Sequence, residues 1–181
     1  MRFWPVSMSK QVDLPAPLGP ISANISPACK ARLTPRTASI HSYILLDRTG
    51  SMEPIWSEAL SSVNAYADGL ASLDGGPRVN ADITLAAFDA QDGLQFDVLR
   101  KDVDASDWRD ITNREISPRG MTPLYDAIGR MVSLAEKDRP EKAVIVIITD
   151  GEENSSTEMT KKSAKAALDR KAFADEIVPV R

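Results

Sequence analysis

The feature that most constrains the fold is an unbroken apolar run from Ala143 to Ile148. Five of its six residues are Val or Ile, the β-branched residues that favour strands. A short run of this kind, without polar alternation, is typical of a strand buried on both faces of a sheet. The run leads into Thr149-Asp150-Gly151, so the sequence predicts a carboxylate at the carboxyl end of a buried strand.

A second apolar run, Tyr43 to Leu46, ends in the same way on Asp47. It predicts another buried strand, entered from about Ile40. In open parallel sheets the ligands bind beyond the carboxyl ends of the strands. We therefore expect Asp47 and Asp150, which are far apart in the sequence, to meet at one edge of the sheet.

Helical spacing of apolar residues between these runs predicts two amphipathic helices. The first begins near Pro54, at a position that suits the first turn, and ends before Asp74-Gly75-Gly76-Pro77. The second spans about Leu124 to Ala135.

The segment between the two helices predicts a hairpin. Strands are expected over residues 83–88 and 94–98, with Gln91-Asp92-Gly93 as the turn. Residues 101–121 look irregular, with Trp108 and Ile111 as apolar anchors.

After the strongest strand, Ser155 and Glu158 fit a capping box for a lysine-rich helix that reaches about Phe173. Residues 177–180 resemble a last strand, and Pro179 favours an edge position for it. Strands alternating with helices predict an α/β, three-layer fold, with a mostly parallel central sheet, one antiparallel edge strand and helices on both faces.

The first part of the chain has a different composition. Six of the 12 prolines lie in residues 1–37, where no helical or strand period survives. We expect 1–37 to be a Pro-rich, disordered extension and 38–181 to be the folded domain.

Composition excludes several function classes. A formal charge of -4 and a pI near 5.1 disfavour nucleic-acid binding, which requires a basic face. The single cysteine, Cys29, permits no internal disulfide, and no run approaches the length of a membrane span. The expected location is cytoplasmic, and the oligomeric state stays open.

A set of oxygen-bearing side chains gathers at the predicted sheet edge. Its members are Asp47, Thr49, Ser51, Thr122 and Asp150. Hard oxygen ligands without His or thiolate favour Mg²⁺, with Mn²⁺ or Ca²⁺ possible. Each residue also has a simpler interpretation as a turn or helix-cap residue, but their joint placement at strand ends favours a metal site.

Three segments carry a resemblance to a known family. Leu45-Leu46-Asp47-Arg48-Thr49-Gly50-Ser51-Met52 resembles the first metal motif of von Willebrand factor A (vWA) domains, usually written Asp-x-Ser-x-Ser. Gly120-Met121-Thr122-Pro123-Leu124-Tyr125-Asp126-Ala127-Ile128 is similar to the second motif, which is built on a threonine. Ile147-Ile148-Thr149-Asp150-Gly151-Glu152-Glu153-Asn154 is similar to the third, which is built on an aspartate. The resemblance covers about residues 40–181 and is closest to small stand-alone bacterial or phage members.

The resemblance implies a Rossmann-like vWA fold and a metal-ion-dependent adhesion site (MIDAS). Thr49, Ser51 and Thr122 would coordinate the metal through hydroxyls, and Asp47 and Asp150 largely through water. The implied function is a metal-dependent protein-binding module, not an enzyme, whose protein partner supplies an Asp or Glu carboxylate to the metal. The family also implies a sixth strand and a helix after the fifth strand, which this sequence is expected to lack, so one sheet edge is expected to be uncovered.

Two other functions stay open. An accessory vWA subunit of an ATPase or chelatase complex shares the fold and the metal but has a different partner; the chain itself has no P-loop. A haloacid dehalogenase-like phosphatase also places a catalytic Asp and Mg²⁺ at a sheet edge. It needs a second acid two residues after the first, where this chain has Thr49.

Overall fold

The structure is a computed structural model that describes residues 2–9, 39–72 and 80–170, with the side chains of 2–9 and of Asn80 excluded. The strands are β1 (Arg2–Ser9), β2 (Ser39–Asp47), β3 (Asn80–Ala90), β4 (Leu94–Asp104) and β5 (Lys142–Thr149). The α-helices are α1 (Trp56–Ala71), α2 (Leu124–Asp138) and α3 (Lys161–Leu168). Two 3₁₀ helices cover Gly50–Ile55 and Ala105–Asp107.

The five strands form one open sheet in the order β1-β5-β2-β3-β4. The three central strands are parallel, and β1 and β4 run antiparallel to their neighbours at the two edges. The chain therefore has an α/β fold with a parallel centre, as the sequence predicts. The register aligns Leu46 with both Ala87 and Ile148, so β2, β3 and β5 reach the same edge of the sheet together.

Alternate residues of the central strands enter two separate cores, because successive side chains of a strand point to opposite faces. Ile44 and Leu46 of β2 belong to the core that packs against α1. Tyr43 and Leu45 belong to the core that packs against α2 and α3. Helices thus cover both faces of the sheet, and the loops at the carboxyl ends of the strands lie between the two helical layers.

Strand β1 lies within residues 1–37, the segment expected to be a Pro-rich extension. Arg2–Ser9 pairs with β5 along its whole length, from Arg2 opposite Thr149 to Ser9 opposite Lys142. Without this pairing, β5 would present a row of unpaired backbone groups to solvent. Pro5 lies in an edge strand, the position in a sheet that tolerates proline. The β5 edge is therefore paired rather than uncovered, and residues 10–38 lie outside the described part of the chain.

Three boundaries differ from the sequence prediction. The strand expected over 94–98 continues to Asp104, and Pro54 lies in the 3₁₀ helix before α1 rather than in α1 itself. The last described helix begins at Lys161 with Thr160 and Ser163 as its capping box, instead of at Ser155. The strand expected over 177–180 lies outside the described residues. Within the described residues, no helix has the length and apolar character needed to cross a membrane.

Candidate functional site

Asp47 ends β2 and is fully buried. Its Oδ1 accepts a hydrogen bond from the Thr49 backbone N–H at 2.9 Å. Its Oδ2 accepts one from the Thr149 hydroxyl at 2.7 Å. Both donors are neutral, so they hold the carboxylate in one orientation without compensating its negative charge.

Three hydroxyl groups form a connected row beside Asp47. The Thr122 hydroxyl donates to Thr49 Oγ1 at 3.0 Å, and Thr49 Oγ1 lies 3.2 Å from Ser51 Oγ. Thr49 and Ser51 belong to one turn, whereas Thr122 comes from a loop 73 residues away in the sequence. The structure therefore brings together the three hydroxyl residues that the sequence nominated.

The loop that carries Thr122 is fixed on both sides. The Gly50 N–H donates to the Gly120 carbonyl at 3.1 Å, which joins the loop to the Asp47–Ser51 turn. Gly120 has φ +72°, and a Cβ there would lie 2.6 Å from the Ala90 carbonyl oxygen. Only glycine fits this close approach without strain. Glycine at position 120 therefore fixes the path of the loop and, with it, the position of Thr122.

Asn154 holds Thr122 from the opposite side. Its side-chain oxygen accepts from the Thr122 N–H at 2.9 Å, and its own N–H donates to the Thr122 carbonyl at 3.1 Å. This two-way bond ties the loop after β5 to the loop before α2. Asn154 was not singled out from the sequence, since an exposed Asn in a polar loop carries no distinguishing pattern.

Asp150 follows β5 and is partly buried. Its Oδ1 accepts from the Glu152 N–H at 3.1 Å, which shapes the turn after the strand. It is close enough to Asp47 for its negative charge to contribute to raising the pKa of that buried carboxyl. The two acids predicted to share the sheet edge therefore interact electrostatically there.

Burial is the main cause that raises the pKa of Asp47, and hydrogen bonds from Thr49 and Thr149 oppose it. Within residues 39–72 and 81–170, whose side chains the structure describes, no Lys, Arg or His side chain forms an ion pair with Asp47. A nearby cation would favour the ionised carboxylate. Among these residues, the site is therefore rich in oxygen atoms and short of positive charge.

The spacing of the hydroxyl oxygens suits a small hard cation. Adjacent ligands of an octahedral Mg²⁺ with bonds near 2.1 Å are about 3.0 Å apart. The Thr122–Thr49 and Thr49–Ser51 oxygen separations of 3.0 and 3.2 Å match that edge length. The described residues contain no group of three or more His, Cys, Asp or Glu side chains placed to hold a metal. The set of Asp47, Thr49, Ser51, Thr122 and Asp150 includes only two such residues.

A second buried carboxylate, Asp89, lies near the end of β3 and is fully buried. Its Oδ2 accepts from Arg48 Nε at 2.5 Å and from Arg119 Nε at 2.9 Å. Arg48 also donates to Asp97 of β4 at 2.5 Å. The other Asp89 oxygen has no hydrogen-bond partner among the described residues. The signal that found Asp47, an Asp following a buried strand, also fits Asp89 after Phe88, and sequence reasoning missed it.

The segment after β5 wraps over the start of α2. Asp126, in the first turn of α2, accepts from the backbone N–H groups of Thr157, Glu158 and Met159. Glu153 accepts from the Tyr125 N–H at 3.0 Å in return. These bonds hold residues 151–160 in a non-helical path. The capping box predicted at Ser155 is therefore wrong. The backbone N–H groups that would start that helix donate to the carboxylates of Asp126 and Glu153 instead.

No protein-family model matches this chain. A search of the curated proteins likewise found no match. The vWA resemblance thus stays a prediction from three short sequence motifs.

Proposed function

We propose that this chain is a metal-dependent protein-binding module with a Rossmann-like vWA fold. Thr49, Ser51 and Thr122 would hold a divalent cation, Mg²⁺ or alternatively Mn²⁺ or Ca²⁺, through their hydroxyls. Asp47 and Asp150 would complete the negative side of the site. The observation that carries the proposal is the row of three hydroxyl oxygens spaced at 3.0 and 3.2 Å beside a buried carboxylate that has no ion pair among the described side chains.

The charge balance supports a cation at this place. Asp47 is fully buried, and neutral donors supply both of its hydrogen bonds. A buried ionised carboxylate is costly unless a charge or a metal compensates it. The one arginine within the motif, Arg48, pairs with Asp89 and Asp97 instead.

Protein binding follows from the incomplete ligand set. Three neutral hydroxyls and two carboxylates, some acting through water, leave an octahedral cation with room for one more oxygen ligand. A bound cation supplies positive charge for a carboxylate oxygen of the partner. An Asp or Glu side chain on a partner protein is the natural group to complete the set.

Catalysis is less well supported than binding. A phosphatase of the haloacid dehalogenase type needs a nucleophilic Asp and a general acid two residues later. Here Asp47 has both oxygens engaged as acceptors, and position 49 is a threonine whose hydroxyl contacts Ser51 and Thr122. Mg²⁺-dependent turnover of an aryl phosphate that is lost in Asp47→Asn would overturn this choice.

Calorimetric titration with Mn²⁺ tests the proposal on the whole chain. We expect saturable binding of one ion by the wild type, and at least tenfold weaker binding by Thr122→Val, which removes one hydroxyl ligand but keeps the side-chain shape.

Thr157→Val is the matched control, because Thr157 is an exposed threonine in the loop that packs on the same helix. It should bind Mn²⁺ as tightly as the wild type. Equal Mn²⁺ affinity in wild type and Thr122→Val, or no binding by folded wild type, would contradict the metal site.

A further inference from the structure

A polar cleft of about 160 Å³ lies next to the hydroxyl row. Arg48 forms one wall, and the segment 113–119 forms the other. The side chains with the relevant chemistry are Arg48, Asn113, Arg114, Glu115, Ser117 and Arg119. Three arginines line this one small cleft, and a guanidinium group offers paired N–H donors to an anion.

The three arginines differ in how far the fold already uses them. Arg48 is buried and is held by Asp89 and Asp97. Arg119 is bound to Asp89 through Nε alone, and 43 % of its side chain is exposed. Arg114 is exposed and has no ion pair among the described residues. The cleft thus combines one arginine held in place, Arg48, with two exposed arginines, Arg114 and Arg119, that have N–H groups available to a ligand.

The acids around the cleft do not cancel this charge. Glu115, the acidic residue of the lining, already pairs with Arg100 at 2.5 Å. Asp89 and Asp97 offset two of the three arginines and leave about one net positive charge. A singly charged carboxylate matches that balance better than a doubly charged phosphate, since excess negative charge would stay unpaired.

The cleft and the hydroxyl row share a wall. Arg48 stands between Asp47 and Thr49 in the sequence, and its carbonyl accepts from the Arg119 N–H at 2.7 Å. Two residues after Arg48 and one residue after Arg119, the Gly50 N–H donates to the Gly120 carbonyl. An extended chain advances about 3.3 Å per residue. A short peptide segment lying over the hydroxyl row would therefore reach the cleft within a few residues.

We propose that the cleft binds a second acidic side chain of the same protein partner. This inference rests on the proposed function and narrows the partner class. The recognition segment carries two carboxylates a few residues apart, one for the bound cation and one for Arg114 and Arg119. Asp89 acts as a positioning residue that holds Arg48 and Arg119 in the cleft wall.

Fluorescent capped peptides test the inference on the full chain at saturating Mg²⁺. Each peptide has two Asp residues separated by zero to three Gly, and its partner peptide has Asn in place of the second Asp. Anisotropy gives the ratio of the two affinities. In the wild type, the two-acid peptide should bind at least fivefold more tightly at one or more spacings.

Arg114→Gln should reduce this ratio to below twofold, because it removes the unpaired guanidinium. Arg130→Gln is the matched control, since it removes one exposed arginine outside the cleft lining and should preserve the ratio. The melting temperature of each variant establishes that it is folded.

A ratio near one at every spacing, or an unchanged ratio in Arg114→Gln, would overturn the cleft while leaving the metal site intact. Failure of Mg²⁺ to bind folded wild type would contradict the proposed function, and the two-point inference with it. The two failures are distinguishable because metal binding is measured without peptide.

Discussion

Two fully buried aspartates, Asp47 and Asp89, lie at the ends of adjacent parallel strands. Arg48 and Arg119 bind Asp89, so charges within the protein compensate it. Among the described residues, Asp47 receives neutral hydrogen bonds, from Thr49 and Thr149. The difference supports two roles for one residue type: Asp89 stabilises the loop architecture, and Asp47, in the proposed function, leaves its charge available to a cation.

The largest expected effect comes from removing Asp89. Asp89→Ala leaves buried Arg48 with only half-exposed Asp97 as an ionic partner, and breaking a buried ion pair costs about 3–5 kcal/mol. Urea unfolding should show a loss of this size. Asp110→Ala, at an exposed position, is the control and should change stability by less than about 0.5 kcal/mol. If Asp89→Ala lost as little unfolding free energy as Asp110→Ala, the structural role assigned to Asp89 would be contradicted.

The second effect concerns Asp47 and its response to metal. At a free Mn²⁺ concentration 100 times the Kd, the wild type should gain about 2.7 kcal/mol of unfolding free energy. Asp47→Asn should gain nothing, since it loses the charge that draws the cation. Urea unfolding with Mn²⁺ and with chelator measures both. An equal gain in the two proteins would mean that Asp47 is not part of the site.

Gly120 connects the surroundings of Asp89 with those of Asp47, because it lies between Arg119, which binds Asp89, and Thr122 of the hydroxyl row. Gly120→Ala forces a non-glycine residue to φ +72° and pushes a Cβ against the Ala90 carbonyl. We expect a loss of about 2 kcal/mol in urea unfolding and weaker Mn²⁺ binding.

Gly69→Ala provides the matched control, since a Cβ there meets nothing within 4 Å. Gly69 lies within helix α1, so alanine should stabilise the protein by about 0.5–1 kcal/mol. If Gly120→Ala were as stable as the wild type, the close contact between the backbones at Gly120 and Ala90 would not require glycine.

Much of this fold could be predicted from local patterns. The apolar runs of β2 and β5 and the helical periods of α1 and α2 indicate their elements without tertiary information. The hairpin between β3 and β4 follows from Asp92-Gly93, which adopts positive φ angles. The hydroxyl residues could be nominated because each stands beside a strand end or a helix start.

What could not be predicted depends on long-range partners. β1 pairs with a strand more than 130 residues away, and Pro5 hides its period. The start of α3 is delayed because Asp126 of α2 binds the preceding backbone N–H groups. Arg48 appears in the sequence as a spacer within the motif, and its ion pairs exist only once β3 and β4 are in place.

The smallest expected effect lies at the opposite end of β2, where His41 is buried and hydrogen-bonded to Thr84 at 2.8 Å. Burial lowers the pKa of His41 below its usual 6.5, against the influence of Asp102, Asp82 and Asp138. The unfolded chain therefore takes up a proton before the folded one as the pH falls. Neutral His41 therefore contributes its full share to the free energy of unfolding above about pH 6.5, and that share is lost as the pH falls below this value.

His41→Gln should flatten the pH dependence of urea unfolding between pH 7.5 and 5.5 without changing Mn²⁺ affinity. A change in Mn²⁺ affinity would show that the metal edge is coupled to the far end of the sheet.

The central claim is that Asp47, and not Asp89, recruits a cation. Mn²⁺ titration by calorimetry of Asp47→Asn and Asp89→Asn tests it most directly, below the melting temperature of each variant. We expect Asp89→Asn to bind Mn²⁺ within about threefold of the wild type, because its charge serves the arginines, and Asp47→Asn to show no saturable binding. Retained binding in Asp47→Asn, or loss of binding in folded Asp89→Asn alone, would contradict the claim.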